Sequence, residues 1–296
     1  MFADTSAKKH EETVHFRLMR EKDNIKAKHG QAIVDGLMDT YDSTLRPWKY
    51  TAKSQESGRN IELPVNISVF LHILSLSSFN DVTMTFTVQF RFLQQWIDDR
   101  LTFDDPMFGE NDQLILSSDM PLWLPDTFFQ NEQYGHYHLI DQFNEFRRIR
   151  SDGQIQYSRR LTMNFSCPMN LMLFPHDTQT CHIEFSSYAY TTKDIAYEWG
   201  SPVPLLIDGI DYMPKFSLAN VTNGTCNSVT ATGNYSCLRV SLVLRREFSY
   251  FLLQLYLPSG MMVAVGCVSF WIDWRSAPAR VPLAIVTLLT ITTQSH

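Results

Sequence analysis

From about Glu62 to Arg246 the chain advances in short runs that alternate apolar and polar residues. Val82–Phe92, Arg148–Arg150, Gln154–Phe165, Thr180–Phe185 and Leu238–Leu244 are such runs, bounded by Asp-Gly, Asn-Gly, Pro and Ser clusters. A period of two places every second side chain on one face of an extended strand, so each run reads as a half-buried strand. Many such strands at close spacing predict a mainly β fold, an immunoglobulin-like β-sandwich. Ahead of it, the hydrophilic segment 1–30 leads into Gln31–Met38, where Ile33, Val34, Leu37 and Met38 recur at helical spacing. This predicts a short amphipathic helix ending near the turn Leu45-Arg46-Pro47.

At Tyr250 the pattern breaks. Tyr250–Trp271 is 22 residues without a charge, long enough to cross about 30 Å of hydrocarbon. Arg245, Arg246 and Glu247 precede it, Asp273 and Arg275 follow it, and Tyr and Trp stand at its ends as interfacial anchors. A buried core helix is the alternative reading, which the length and charged flanks disfavour. Pro258 sits mid-span, tolerable in a membrane helix whose neighbours satisfy the freed carbonyl. Val281–His296 is apolar on one side, with Thr287, Thr290, Thr293 and Gln294 on or near another face. A membrane helix with a hydroxyl stripe packs against other helices or lines water. The expected organisation is a hydrophilic segment 1–30, an extracellular domain 31–247 and a membrane region 248–296. The membrane helices are expected at about 249–272 and 278–296. Two helices cannot enclose a pore alone, so the chain is expected to be truncated after the second.

Composition sharpens this picture in two places. Cys167, Cys181, Cys226 and Cys237 precede the membrane region and Cys267 lies within it, which fits two extracellular disulfides and one free thiol. Sequons at Asn66, Asn164, Asn220, Asn223 and Asn234 agree with a secretory compartment. Residues 1–30 contain no apolar signal-peptide core, and an incomplete start is the expectation. A net charge of −6 without a basic patch gives no reason to expect nucleic-acid binding. No Ser/His/Asp arrangement in strand–turn–helix context, phosphate loop or convincing metal cluster is present, so no enzyme activity and no cofactor is expected.

Cys167 and Cys181 are thirteen residues apart and enclose Phe174-Pro175-His176-Asp177. This resembles the signature loop of Cys-loop pentameric ligand-gated ion channels. Further matches run in order from about residue 60 to the end: Trp96-Ile97-Asp98, Trp123-Leu124-Pro125-Asp126, SSYAYTTKDIAYEW (186–199), RREFSYFLLQLYLP (245–258) and PARVPLAIVTLLTITTQS (278–295). The resemblance implies a β-sandwich on four membrane helices, five subunits around a central pore, and the bridges Cys167–Cys181 and Cys226–Cys237. Within the family the anion-selective branch is the most similar, invertebrate glutamate-gated chloride channels first and glycine receptors next. A second bridge enclosing ten residues and Pro278-Ala279-Arg280 at the start of the second, pore-lining helix carry that likeness.

The resemblance also implies sites. A ring of Arg280 at the inner mouth would attract chloride, although an Arg at a helix end also anchors at headgroups. Leu289 matches the family's hydrophobic gate. Pro282 and Val286 stand where relatives carry small residues and Thr, which predicts weak block by picrotoxin-like compounds. Ligand-contacting positions on one subunit face are Phe128, Ser187 and Tyr188, with Thr232 and Tyr235 on a capping loop; an ammonium would be held there by cation–π contact. On the opposite face Ser158 matches a serine near the ligand carboxylate. The two arginines that grip this carboxylate in relatives are here Leu93 and Leu74. Arg91, on the same strand face as Leu93, either replaces that contact or is a solvated surface residue. His136 and His138 would share a strand face, as a weak zinc site or as two ordinary polar residues. Asp177 and Arg246 match positions that meet where binding is coupled to gating.

The expected function is a subunit of a pentameric neurotransmitter-gated chloride channel, homomeric or mixed with related subunits, opened by a small amino-acid or amine ligand bound between subunits. The alternatives are a non-conducting binding protein and an accessory subunit of the same fold. Chloride, the lipid bilayer and the neurotransmitter are the expected partners. The expected location is the plasma membrane, multi-pass, with the N-terminal domain outside and a postsynaptic site as the finer expectation.

Overall fold

The computed structural model describes residues 24–47, 49–53, 60–109, 112–140, 142–208, 213, 215–273, 275 and 277–294. Residues 1–23 of the expected hydrophilic segment, and residues 295–296 at the expected end of the second membrane helix, lie outside the described residues.

A helix over residues 24–38 opens the described chain. It is longer than the apolar periodicity alone predicts, because polar residues continue the helix on its exposed side. Val34 is its fully buried contact, with Ile33, Leu37 and Met38 packed partly against the core. Among the described residues, sixteen strands follow in order. The first half comprises β1 (Lys49–Lys53), β2 (Asn60–Leu63), β3 (Val65–Asn80), β4 (Thr85–Ile97), β5 (Gln113–Leu116), β6 (Thr127–Phe129), β7 (Glu132–Tyr137) and β8 (Glu145–Arg150). The second comprises β9 (Gln154–Ser166), β10 (Thr178–Ser187), β11 (Ile195–Trp199), β12 (Leu205–Ile207), β13 (Phe216–Thr225), β14 (Ser228–Thr230), β15 (Gly233–Tyr235) and β16 (Cys237–Arg246).

Two sheets form the sandwich. One has the order β11-β3-β4-β9-β8-β5, with β12 also on β3 and β7 also on β9; the other is β13-β16-β10-β6. The alternation read from the sequence is the alternation of burial. Ile67, Val69, Leu71 and Ile73 of β3 and Phe86, Val88, Phe90 and Phe92 of β4 all point inward. Between the sheets, the Phe92 ring meets those of Phe129 and Phe185 edge-on at 5.4 and 5.1 Å. Each buried Phe contributes roughly 1.5–3 kcal/mol by removal from water. The run expected to begin at Val82 starts its strand only at Thr85. The amides of Val82 and Thr83 donate to Asn80 Oδ1 and hold those residues in the turn.

Both expected disulfides, Cys167–Cys181 and Cys226–Cys237, are formed, and Cys267 is free. Of the sequons, Asn164 is buried in β9 and its amide donates to Thr87. Asn66, Asn220, Asn223 and Asn234 are exposed.

Beyond β16, a helix runs from Phe248 to Val268, long and apolar enough to span a membrane and uncovered by the rest of the chain. It widens to π-helical winding over Leu252–Tyr256, directly before Pro258. That local unwinding accommodates a proline inside a helix. The helix ends earlier than the expected residue 272. Ser269, Phe270 and Trp271 instead donate to carbonyls three residues back, a tighter closing turn. The second helix runs from Ala277 to Gln294 and contains Pro282.

Candidate functional site

The aromatic positions converge at the end of the β6–β10 pairing, where Ser186 registers with Phe128 and Ser187 with Thr127. The Phe128 ring meets Tyr188 edge-on at 5.4 Å, and Tyr188 is 76% exposed. Between the second pair of cysteines, β14 and β15 form a hairpin, with Gly233 at a φ of 144° that a side chain would strain. On it, the Thr232 hydroxyl and Tyr235 hydroxyl lie 2.9 Å apart in a hydrogen bond. The Thr192 amide donates to the Asn234 carbonyl at 2.9 Å and holds the hairpin against the segment following Tyr188. Phe128 and Tyr188 thus meet directly, while Thr232 and Tyr235 pair with each other on the hairpin.

Ser187 is placed differently. It is 2% exposed; its hydroxyl donates to Asp126 at 2.6 Å and accepts from the Tyr190 amide at 2.9 Å. Asp126 also accepts from the Ala189 amide. Ser187 thus fixes the backbone that presents Tyr188 and does not itself stand on the open face. The Trp-Leu-Pro-Asp motif marked Asp126 as important, but only the fold reveals what it holds.

Arg91 and Ser158 lie on the other sheet. Arg91 registers with His72 of β3 and Arg160 of β9, and Ser158 registers with Leu93. Arg91 and Ser158 line one shallow cavity of about 260 Å³. The same face carries Leu93 one rung away, while Leu74 falls in the register irregularity between Ile73 and Ser75. Phe128 lines one cavity, and Arg91 and Ser158 line another.

His136 and His138 do share a face, with ring centroids 5.8 Å apart. His138 Nε2 is already within hydrogen-bonding distance of Thr162 and Gln89, at 2.7 and 3.1 Å. Among the described residues, no group of three or more metal-binding side chains exists.

The most constrained polar cluster lies below, where β16 turns into the first membrane helix. The Arg246 side chain is 0% exposed. Its Nε donates to Asp177 Oδ1 at 2.6 Å and its Nη1 to Asp81 Oδ2 at 2.8 Å. The guanidinium carbon also sits 4.5 Å from the Phe216 ring centroid and 4.7 Å from that of Phe174. Burial opposes charge on Asp177, but hydrogen bonds from Arg246 and Gln179 and the guanidinium charge prevail and hold its carboxyl below the usual range. Burial likewise opposes the Arg246 charge, and its bonds to Asp177 and Asp81 outweigh that and raise its pKa. Asp81 was not identified from the sequence; an acidic residue in a tight turn after a strand has no signal of its own.

In the second helix, Arg280 Nε donates to the Ser269 carbonyl at 3.0 Å, tying the two helices together. Val286 and Leu289 are exposed. The Thr287, Thr290 and Thr293 hydroxyls donate to carbonyls three or four residues back, which satisfies them in an apolar setting.

A sandwich with an exposed aromatic corner is joined through a buried ion cluster to an uncovered apolar helix long enough to cross a membrane. Comparison with known proteins supplies the family. The model of the neurotransmitter-gated ion-channel ligand binding domain matches residues 30–248, and that of the neurotransmitter-gated ion-channel transmembrane region matches residues 255–296. The chain belongs to the neurotransmitter-gated ion-channel family. It is 41% identical over 255 residues to a glutamate-gated chloride channel of Drosophila melanogaster, covering 86% of this chain and 56% of that protein. It is 42% identical over 269 residues to a glutamate-gated chloride channel subunit beta of Haemonchus contortus, covering 89% of this chain and 61% of that one. The chain thus spans less than two thirds of the length of these relatives.

Proposed function

We propose that this chain is a subunit of a pentameric, plasma-membrane chloride channel opened by a small amino-acid or amine transmitter. The observation that carries the proposal is the buried Arg246–Asp177–Asp81 cluster. It joins the disulfide loop and the β3–β4 turn of the sandwich to the start of a membrane helix, so movement in the binding domain is transmitted to the helix through charged contacts. A ligand that favours one arrangement of those contacts shifts the closed-to-open equilibrium.

The ligand site lies between subunits. Phe128, Tyr188, Thr232 and Tyr235 of one copy face Arg91 and Ser158 of the next, since the two groups sit on different sheets of one chain. The aromatic rings take the ligand's ammonium, and Arg91 takes over carboxylate recognition from the arginines replaced by Leu93 and Leu74. Arg280 rings the inner mouth of the pore and selects anions, with Leu289 as the gate.

Expression in oocytes, alone and with related subunits, followed by amino-acid and amine application under voltage clamp, tests this. Agonist-evoked current in either setting supports it, and its appearance only on co-expression identifies an accessory subunit. Ligand binding at the cell surface with no current in any combination would establish a non-conducting binding protein instead.

A further inference from the structure

Arg159 has no role in the site described above. It lies on β9 and registers with Phe92 of β4 and Glu145 of β8. Its side chain shares the inward strand face of Tyr157 and Leu161. The guanidinium stacks over the Phe92 and Tyr157 rings at 5.7 and 5.6 Å. Its Nη1 reaches the Tyr137 hydroxyl at 3.4 Å, and its Nε is buried without a partner.

Glu145, the carboxylate next to it in register, is engaged elsewhere. It accepts from Arg147 at 3.2 Å and from the Tyr157 hydroxyl at 3.3 Å. Glu145 is thus bonded to Arg147 and Tyr157 and not to Arg159. Arg159 is half-buried, so its guanidinium stands at the protein surface with no carboxylate bonded to it among the described residues.

The guanidinium borders a cavity of about 240 Å³ between β6, β7 and β9, lined also by Thr127, Phe128, His136 and Tyr137. Glu132 lines it as well, but is exposed and forms no ion pair with Arg159 among the described residues. Aromatic edges carry partial positive charge, and the Tyr137 hydroxyl and His136 ring are available donors.

We infer that this cavity is an anion site within a single subunit, taking a small monoanion, a halide or a short carboxylate, against Arg159. Every lining residue comes from one chain, so the site needs neither a neighbouring subunit nor an agonist, and it stands or falls separately from the channel function. Phe128 borders both this cavity and the aromatic corner.

A ligand that binds only the folded state raises the melting temperature. The whole chain, purified in detergent, is melted in sodium sulfate, whose dianion is neither a halide nor a carboxylate, at constant ionic strength while sodium bromide or sodium acetate is exchanged in. The expected result is a saturable rise with at least one of these salts, the effective salt distinguishing halide from carboxylate. The rise persists in Arg159→Lys and is lost in Arg159→Gln. An equal rise in Arg159→Gln, or no rise with either salt in the unmodified chain, overturns the inference. Should Arg159→Gln fail to fold, crystals of the unmodified chain grown in bromide and in acetate decide it. Anomalous bromide signal or acetate density beside Arg159 supports the site, and neither refutes it.

Discussion

At the scale of single residues, Arg246 bears the largest burden. It is wholly buried between Asp177 and Asp81, and removing one partner of a buried ion pair costs about 3–5 kcal/mol because the others lose their counter-charge. Arg246→Gln is expected to lose agonist-evoked current or surface assembly, read by voltage clamp and surface biotinylation; unchanged current would remove the cluster from the gating account. Asp177 contributes a pH dependence. Its folded pKa lies below the ordinary carboxylate value, so its stabilisation is fully present above about pH 4 and is lost as pH falls through the lowered value. Asp177→Asn is expected to melt lower than the unmodified chain at neutral pH, with the gap closing only in acid below about pH 4. A gap that closes near pH 6 would point to another group. At the aromatic corner, a cation–π contact of about 0.5–2 kcal/mol corresponds to roughly 2- to 30-fold in affinity. Tyr188→Ala is therefore expected to raise the half-maximal agonist concentration within that range, while Tyr188→Phe stays near the unmodified value. Asp177 and Arg246 were legible because motif positions mark them. Asp81 was not, being 165 residues from Arg246 in sequence. Ser187 was legible as a position but not as an orientation, since the Asp126 contact that turns it inward depends on the packing of β10 against β6.

At the scale of elements, apolar periodicity identified the strands and membrane segment because burial follows it closely in β3 and β4. Boundaries were less legible. They are set by local hydrogen bonds that periodicity does not encode, such as the Asn80 side chain capturing the turn before β4 and the tightened end at Ser269–Trp271. The helix over residues 24–38 extends past its apolar stretch because polar residues continue it on its exposed side. In the second helix, Val286 offers no hydroxyl at the position where the resemblance to anion channels implies Thr. Picrotoxin block is expected to be weak, and Val286→Thr is expected to strengthen it; block at low micromolar concentration in the unmodified channel would contradict this reading. Arg280 binds the Ser269 carbonyl and is proposed above to ring the mouth of a pore. These roles are compatible, because one N–H of five is used and the remainder can face the pore.

At the scale of the whole molecule, a two-sheet sandwich holds Phe128 and Tyr188 beside one sheet and Arg91 with Ser158 on the other, the arrangement on which the proposed site between two copies of the chain rests. The sandwich and the family were legible from motifs spread along most of the sequence. The ligand was less so, because Leu93 and Leu74 replace residues by which a carboxylate would be recognised, and the placement of Arg91 beside Arg160 emerges only from strand register. The central claim is an agonist-opened anion pore, and the reversal potential of the agonist-evoked current tests it most directly. On exchange of external chloride for gluconate, the account predicts that this potential moves with the chloride equilibrium potential and ignores replacement of external sodium. A reversal potential that follows sodium and ignores chloride would contradict it.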